Sequence, residues 1–241
     1  MGKLDTAKAL VEAAAVSGAD AVKFQLFHAE DILREFPRSY RRWELKPDWV
    51  VALAKQASDY GIDFLCTPFA PWACDVLRPY VKVWKIGSFE ALDPALWEAT
   101  ADKPRIVSLG QVADEDLDGL LARDPKAHWL HCVSEYPTEL CHASLARLAL
   151  LKTRTDRVGF SDHTTSSVAA AAAIALGARV IEHHLKLKDQ QGGPDTAEHA
   201  FEPRAFEDYV ADLSEIYNAI DPILGAFHHS PCPETRRLHG N

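Results

Sequence analysis

Two runs in the C-terminal third of the chain read as strands that carry a histidine at or near their ends. One is Arg157–Thr164, with His163; the other is Arg179–Leu187, with His184. An alanine-rich helical stretch, about 165–177, lies between them, and a strand–helix–strand unit makes its two strands parallel neighbours. Strand side chains alternate, so Ser161 shares a face with His163, and Glu182 shares one with His184. Both imidazoles then point into one space, an arrangement suited to a divalent cation. The alternative is a pair of hydrogen-bonded core histidines. His183 has the opposite parity and is expected to face away.

Two lysines raise a second chemical question. In the run around Ala21–Leu26, Ala21, Lys23 and Gln25 share one face, while Val22, Phe24 and Leu26 share the other. The apolar set suits packing against helices, which leaves Lys23 facing the interior of a closed sheet. Lys85, in Val81–Ser88, invites the same argument. An unpaired interior ammonium is costly, so two of them without evident carboxylate neighbours suggest a bound anion. The alternative is pairing with Glu90, Asp162 or Glu182.

The elements that must hold these groups are short apolar strands alternating with helices. Strands are expected at about 19–27, 62–69, 81–88, 105–110, 128–135, 157–163 and 179–187. Helices are expected at about 4–17, 47–60, 71–78, 94–101, 114–123, 142–152, 165–177 and 203–218. Pro47, Pro71, Pro94 and Pro203 sit where first-turn prolines belong, and Gly18, Gly61 and Gly177 where helices stop. This alternation is the signature of an α/β fold with a parallel sheet, here a TIM-type (β/α)8 barrel. It has seven strands for eight helices, so the first strand is the missing element. Residues 1–220 are expected to form the barrel and 221–241 a tail or linker stub. No Gly-x-Gly-x-x-Gly follows a strand, so a dinucleotide fold is unsupported.

A chain of 241 residues suffices for one such domain. Its net charge of -9 argues against general nucleic-acid binding, which needs basic surface, but not against a small anionic substrate in a locally basic cleft. No apolar run is long enough for a membrane span, and no basic-then-apolar leader is seen at the N-terminus. The five cysteines, at 66, 74, 132, 141 and 232, form no Cys-x-x-Cys pair, and the odd number suits a reducing cytoplasm.

Six motifs fall at successive strand ends: Val22-Lys-Phe-Gln25, Cys66-Thr-Pro-Phe69, Lys85-Ile-Gly-Ser88, His131-Cys-Val-Ser-Glu-Tyr-Pro-Thr138, Ser161-Asp-His-Thr164 and Gly193-Pro-Asp195. In this order the set resembles the N-acetylneuraminate (sialic acid) synthase family, from about Gly2 to about Pro203. The resemblance implies a transferase that condenses phosphoenolpyruvate with an N-acetylated aldose, such as N-acetylmannosamine, to a sialic-acid-type nonulosonic acid, releasing phosphate. It implies that Lys23 and Lys85 bind phosphoenolpyruvate with the hydroxyls of Thr67, Ser88, Ser134 and Ser161, and it adds Gln25 to the substrate-binding set. It implies that His163 and His184 hold a divalent metal and so act in catalysis. Manganese is the first expectation, with cobalt or magnesium as alternatives. Glu90 matches the glutamate that moves protons, and Tyr136 and Asp195 match positions that contact the sugar.

Several residues depart from that family's pattern. Phe89 replaces a glycine, Ser108-Leu-Gly-Gln111 replaces Ser-Thr-Gly-Met, Glu139 follows Tyr136-Pro-Thr, and Thr196-Ala-Glu-His-Ala200 differs from the usual segment after Asp195. These changes bear on the sugar more than on phosphoenolpyruvate. The family's C-terminal antifreeze-like domain, which in a homodimer lends the partner an arginine, is not matched; Arg236 and Arg237 are weak candidates to replace it. The family's first strand would end just before Gly2, with Met1 on the variable residue of its Asn-His-x-Gly. Without it, the strands at 19–27 and 179–187 are expected to expose unpaired edges beside the site. Two other readings stay open: an aldolase with a Schiff-base lysine, Lys85 or Lys23, and a catalytically impaired barrel that binds a sugar or a partner.

Overall fold

The computed structural model describes residues 3–32, 40–188, 190 and 192–224. Helix α1 (Leu4–Val16) leads into β1 (Ala21–Leu26), and α2 (Ala29–Ile32), α3 (Val50–Asp59) and β2 (Asp63–Pro68) follow. The chain then alternates through α4 (Pro71–Leu77), β3 (Trp84–Ile86), α5 (Pro94–Ala99), β4 (Arg105–Ser108), α6 (Asp114–Arg123) and β5 (His128–Cys132). It ends with α7 (Leu145–Lys152), β6 (Val158–Asp162), α8 (Val168–Ala175), β7 (Val180–His183) and α9 (Pro203–Leu224). Every strand pairing is parallel, in the order β1-β2 and β3-β4-β5-β6-β7, so this is an α/β fold whose parallel sheet curls in the manner of a TIM-type barrel.

Local sequence sets these elements. Pro71 and Pro94 open their helices at the position where a missing N–H costs nothing, and the Asp93 side chain caps α5 by accepting from the Ala95 N–H. Gly18 and Gly177 end α1 and α8 at φ +86° and +102°, a left-handed turn that L side chains resist. The outward faces of the strands pack on the helices in two clusters. Val22, Leu26, Cys66 and Trp84 meet Val11, Leu53 and Leu77; Trp129 and Phe160 meet Leu117, Leu148 and Ile174.

The strand expected at 81–88 shrinks to Trp84–Ile86. The carbonyls of Arg78 and Val81 accept from the Lys103 ammonium, and exposed Lys82 turns aside to Asp63 at 2.7 Å. The helix expected from 142 starts at Leu145, after Ser144 adopts φ +50°. The one expected from 47 begins as a 3-10 turn, Pro47–Trp49. The last helix runs on to Leu224, past the expected boundary at residue 220, while Cys232, Arg236 and Arg237 lie outside the described residues.

Among the described residues, β1 pairs only with β2, and β7 only with β6. The edges of β1 and β7 that face one another therefore carry no ladder. Outside the strands, Ser17 Oγ donates to the Pro203 carbonyl at 3.1 Å and α1 packs on α9, which draws the two ends of the curl together. No described helix is long and apolar enough to cross a membrane.

Gly159 fixes the spacing of three strands. A Cβ there would collide with Leu130 Cδ2 and with the Val180 carbonyl oxygen, on the strands either side. Gly159→Ala should therefore destabilise by about 1–3 kcal/mol, read as a lower thermal midpoint. An unchanged midpoint would show that β5, β6 and β7 are not held this closely.

Candidate active site

A polar layer crosses the inside of the curl. Lys23 Nζ lies 2.8 Å from Glu182 Oε2, and Lys85 Nζ lies 3.7 Å from Glu182 Oε1. Ser161 Oγ donates to Glu182 at 2.8 Å, and Lys85 Nζ donates to Ser108 Oγ at 2.7 Å. Strand parity turns each of these side chains inward, and the β6–β7 register sets Ser161 directly beside Glu182. The expectation that the lysines lack a carboxylate neighbour is thus corrected: both converge on Glu182. Asp162, the other carboxylate of these strands, faces the opposite way and accepts from Tyr209 Oη at 3.0 Å.

The electrostatics of this layer are lopsided. Burial alone would raise the Glu182 carboxyl, but the ammonium groups of Lys23 and Lys85 outweigh it and hold it well below its usual range. Lys85 is only 2% exposed, and burial pulls its ammonium down to about 8 against the attraction of Glu182. Two ammonium groups against one carboxylate leave a net positive centre that an anion can share.

The hydroxyls lie around this centre. Ser88 Oγ accepts from the Gly110 N–H at 3.0 Å and lies 3.1 Å from Cys132 Sγ. A Cβ on Gly110 would meet Cys132 Sγ and Ser134 Oγ at 2.7 Å each, so Ser88 and Ser134 crowd the same backbone from two strands. Thr67 is buried on β2 opposite Gln25 of β1. The Glu90 carboxylate folds over Gly87, where any Cβ would overlap it. Burial pushes Glu90 up to about 7, with the Lys85 charge opposing.

Above the polar layer lies a histidine cluster. The His163 and His184 rings face the same space, 5.2 Å apart between centroids. His163 Nδ1 donates to the Val133 carbonyl at 2.6 Å, which leaves Nε2 as the acceptor. His184 Nδ1 lies 3.3 Å from Asp195 Oδ1, and Gln25 Nε2 donates to Asp195 Oδ2 at 3.2 Å. His199 joins them from the loop after β7, 4.7 Å from His184 between ring centroids. The Tyr136 ring covers the group, 4.2 Å from His163 and 5.0 Å from His199. His183 faces away as parity demands, tilted against Phe201 at 4.1 Å and stacked on Tyr209 at 4.7 Å between ring centroids.

This donor set suits a divalent cation. Burial, and then the neighbouring His184, hold His163 and His199 down to about 4, so both rings are neutral near pH 7 with lone pairs available. Burial works against the Asp195 carboxylate, but its hydrogen bond to His184 outweighs that and keeps it below the usual range. His184, Asp195 and His199 each offer a donor atom within 4.8 Å of the other two. A second such set, Glu139, Cys141 and His142, is exposed and lies off this layer.

The NeuB family model matches residues 10–223. The chain belongs to the NeuB family. The N,N'-diacetyllegionaminic acid synthase of Campylobacter jejuni is 33% identical over 248 residues, covering 91% of this chain and 74% of that protein. The pseudaminic acid synthase of Campylobacter jejuni is 31% identical over 212 residues, covering 77% of this chain and 62% of that protein. The crystal structure of the N-acetylneuraminic acid synthetase of Leptospira borgpetersenii, solved with citrate, superposes with a TM-score of 0.84 at 27% identity, over 95% of this chain and 82% of that one.

Of the residues nominated from sequence in this NeuB family member, the structure gathers those it describes at one end of the strands, while Arg236 and Arg237 lie outside the described residues. Lys23, Lys85 and Ser161 join the Glu182 layer, and Gln25, Tyr136, His163, His184 and Asp195 join the imidazole cluster. Ser88, Ser134, Thr67 and Glu90 lie around Gly87 and Gly110. Sequence reasoning missed His199 and the Ser108–Lys85 bond. Parity marks Ser108 as a strand-end residue, but no periodicity marks His199.

Glu90 yields a test through pH. Its carboxyl rises from 4.5 to about 7 on folding, so the folded state binds the extra proton in that window. The penalty for ionising it is absent below about pH 4.5, grows as pH rises and is complete above about 7, at ~3 kcal/mol or less. Glu90→Gln should remove that loss. The variant should gain stability over the native chain between pH 5 and 8 in denaturant titrations, because the buried histidines titrate alike in both. Parallel curves for the two proteins would show an ordinary Glu90.

Proposed function

We propose that this chain condenses phosphoenolpyruvate with an N-acetylated aldose in a metal-dependent reaction, forming a nonulosonic acid of the sialic acid type and releasing phosphate. The observation that carries the reading is the juxtaposition of two layers. The Lys23–Lys85 anion centre lies beneath an imidazole–carboxylate cluster, and Gln25, two residues from Lys23, bonds Asp195 of that cluster. Relatives named for diacetyllegionaminic and pseudaminic acid support an N-acetylated amino-sugar acceptor. The four described cysteines are free thiols, which supports a cytoplasmic setting.

In this reading Lys23 and Lys85 hold the phosphate and carboxylate of phosphoenolpyruvate, with Ser88, Ser134, Ser161 and Thr67 as hydroxyl partners. Glu182 keeps the ammonium groups in place and yields part of their charge to the substrate. His163 and His184 would hold the divalent cation, manganese first and cobalt or magnesium as alternatives; when bound, it supplies Lewis acidity to the sugar aldehyde. The enol carbon of phosphoenolpyruvate forms the new bond to the aldehyde carbon, and the aldehyde oxygen takes up a proton. Water adds, with loss of a proton, to the adjacent carbon that bears the phosphate, and the carbon–oxygen bond to phosphate then breaks as the remaining hydroxyl loses its proton to leave the ketone. Glu90, raised to about 7, is assigned the proton transfer near Lys85. Tyr136 and Asp195 border the space for the sugar.

One observation favours a second reading. Lys85 is buried and lowered to about 8, as a Schiff-base lysine requires. Borohydride trapping with pyruvate decides between the two, because only an aldolase yields a covalent adduct on Lys85.

Phosphate release from phosphoenolpyruvate should require both an N-acetylated aldose and a divalent cation, and should stop on chelation. Lys23→Met and Lys85→Met should each weaken phosphoenolpyruvate binding tenfold or more in calorimetry, with far-ultraviolet circular dichroism unchanged. Unchanged affinity in both folded variants would remove the lysines from the site.

A further inference from the structure

We propose that His199 is a protein ligand of the same divalent cation, so that this site offers a third imidazole beside His163 and His184. The inference rests on the metal-dependent reading above and adds a residue to it. His199 is fully buried, and neither of its ring nitrogens has a hydrogen-bond partner among the described residues. A buried imidazole with both nitrogens unmatched is costly unless something satisfies it.

The geometry names what that something is. His184, Asp195 and His199 bring one donor atom each within 4.8 Å of the others. Three donors at about 2.1 Å from one ion stand about 3–4 Å apart, so the set closes on an ion by a contraction of about 1 Å. Asp195 and His199 lie on one loop after β7, Asp195 in the short turn Pro194–Thr196, and that loop can move more readily than a strand. His163 completes the enclosure from β6, its ring centroid 6.3 Å from that of His199. Its Nδ1 is committed to the Val133 carbonyl, which is how proteins orient a ligating ring. Tyr136 lies over both His163 and His199, so a cation there is screened from solvent on that side.

Three imidazoles and a carboxylate shift the preference of the site. Nitrogen-rich sets favour cobalt, iron and zinc over magnesium, which prefers oxygen. The added ring should therefore matter most for the nitrogen-preferring ions.

The test is calorimetry of the full chain with Co2+, Zn2+ and Mg2+, alongside the visible absorption of the Co2+ form. The proteins are the native chain, His199→Ala, His199→Gln and His184→Ala, each checked for folding by its metal-free melt. The native chain should bind one Co2+, and His184→Ala should lose it. His199→Ala should weaken Co2+ and Zn2+ at least tenfold and change the Co2+ spectrum, while Mg2+ affinity changes less than threefold. His199→Gln, closer in size, keeps the outcome readable if His199→Ala fails to fold. Native Co2+ affinity and spectrum in a folded His199 variant, with His184→Ala inactive in binding, would overturn His199 and leave the metal reading intact. No Co2+ or Zn2+ binding by the native chain would overturn both.

Discussion

Glu182 is the one charge on which the interior depends. It sits on β7, the last strand, and takes an ammonium from β1 and another from β3 while accepting a hydroxyl from β6. Without it, two ammonium groups would face each other in a space that holds Lys85 at 2% exposure. Breaking such a buried pair costs ~3–5 kcal/mol, because the remaining charge is left without a partner. The Lys23–Glu182 pair also spans the seam where β1 and β7 share no ladder. A side-chain contact there joins strands that backbone hydrogen bonds do not, whereas β1–β2 and β3 to β7 are held by ladders. The net positive centre and the closure of the curl thus rest on the same contact.

Parity divides the same short strands between two tasks. On β6 and β7 and just past their ends, Ser161, His163, Glu182 and His184 face the interior, while Asp162 and His183 face α9 and its aromatic residues. The outer set is built differently. Asp162 is matched by Tyr209 and the Thr164 N–H, whereas neither His183 nitrogen has a hydrogen-bond partner among the described residues, Nδ1 standing 4.0 Å from Asp162 Oδ2, and the ring packs on Phe201 and Tyr209. Burial keeps that ring neutral, holding it down to about 3. Two adjacent histidines therefore have different fates: His183 serves as an aromatic packing group, and His184 faces donors.

What could be read from sequence follows the same division. Period-two alternation is local, so the inward set Lys23, Gln25, Ser161, His163 and His184 could be named without a structure. The partner of the lysines could not be fixed, because the distance from β1 to β7 depends on how the sheet curls. Glu182 therefore entered only as one of three alternatives. The start of β3 was misread for a related reason. Val81-Lys-Val is apolar enough for a strand, but Lys103, about twenty residues on, takes the carbonyls a ladder would need. His199 lay in a segment with no periodicity, where spacing carries no information about facing.

The two halves of the site thus differ in how firmly they are held. The anion half stands on strand residues, cross-linked by ion pairs, with the side chains of Glu90, Cys132 and Ser134 packed closely over the glycines at 87 and 110. The cluster half takes His163 and His184 from just beyond strand ends, but Asp195, His199 and Tyr136 from loops. Loop positions tolerate substitution without disturbing the sheet. On the proposed function, a fold with its anion centre on the strands can alter the acceptor by altering those loops. In this chain the residues after Asp195 are among those that depart from the family pattern, and they bring a further imidazole to the cluster. On the proposed function, substrate choice and metal preference are coupled here: one loop segment, 195–199, would border the sugar and offer donors to the cation.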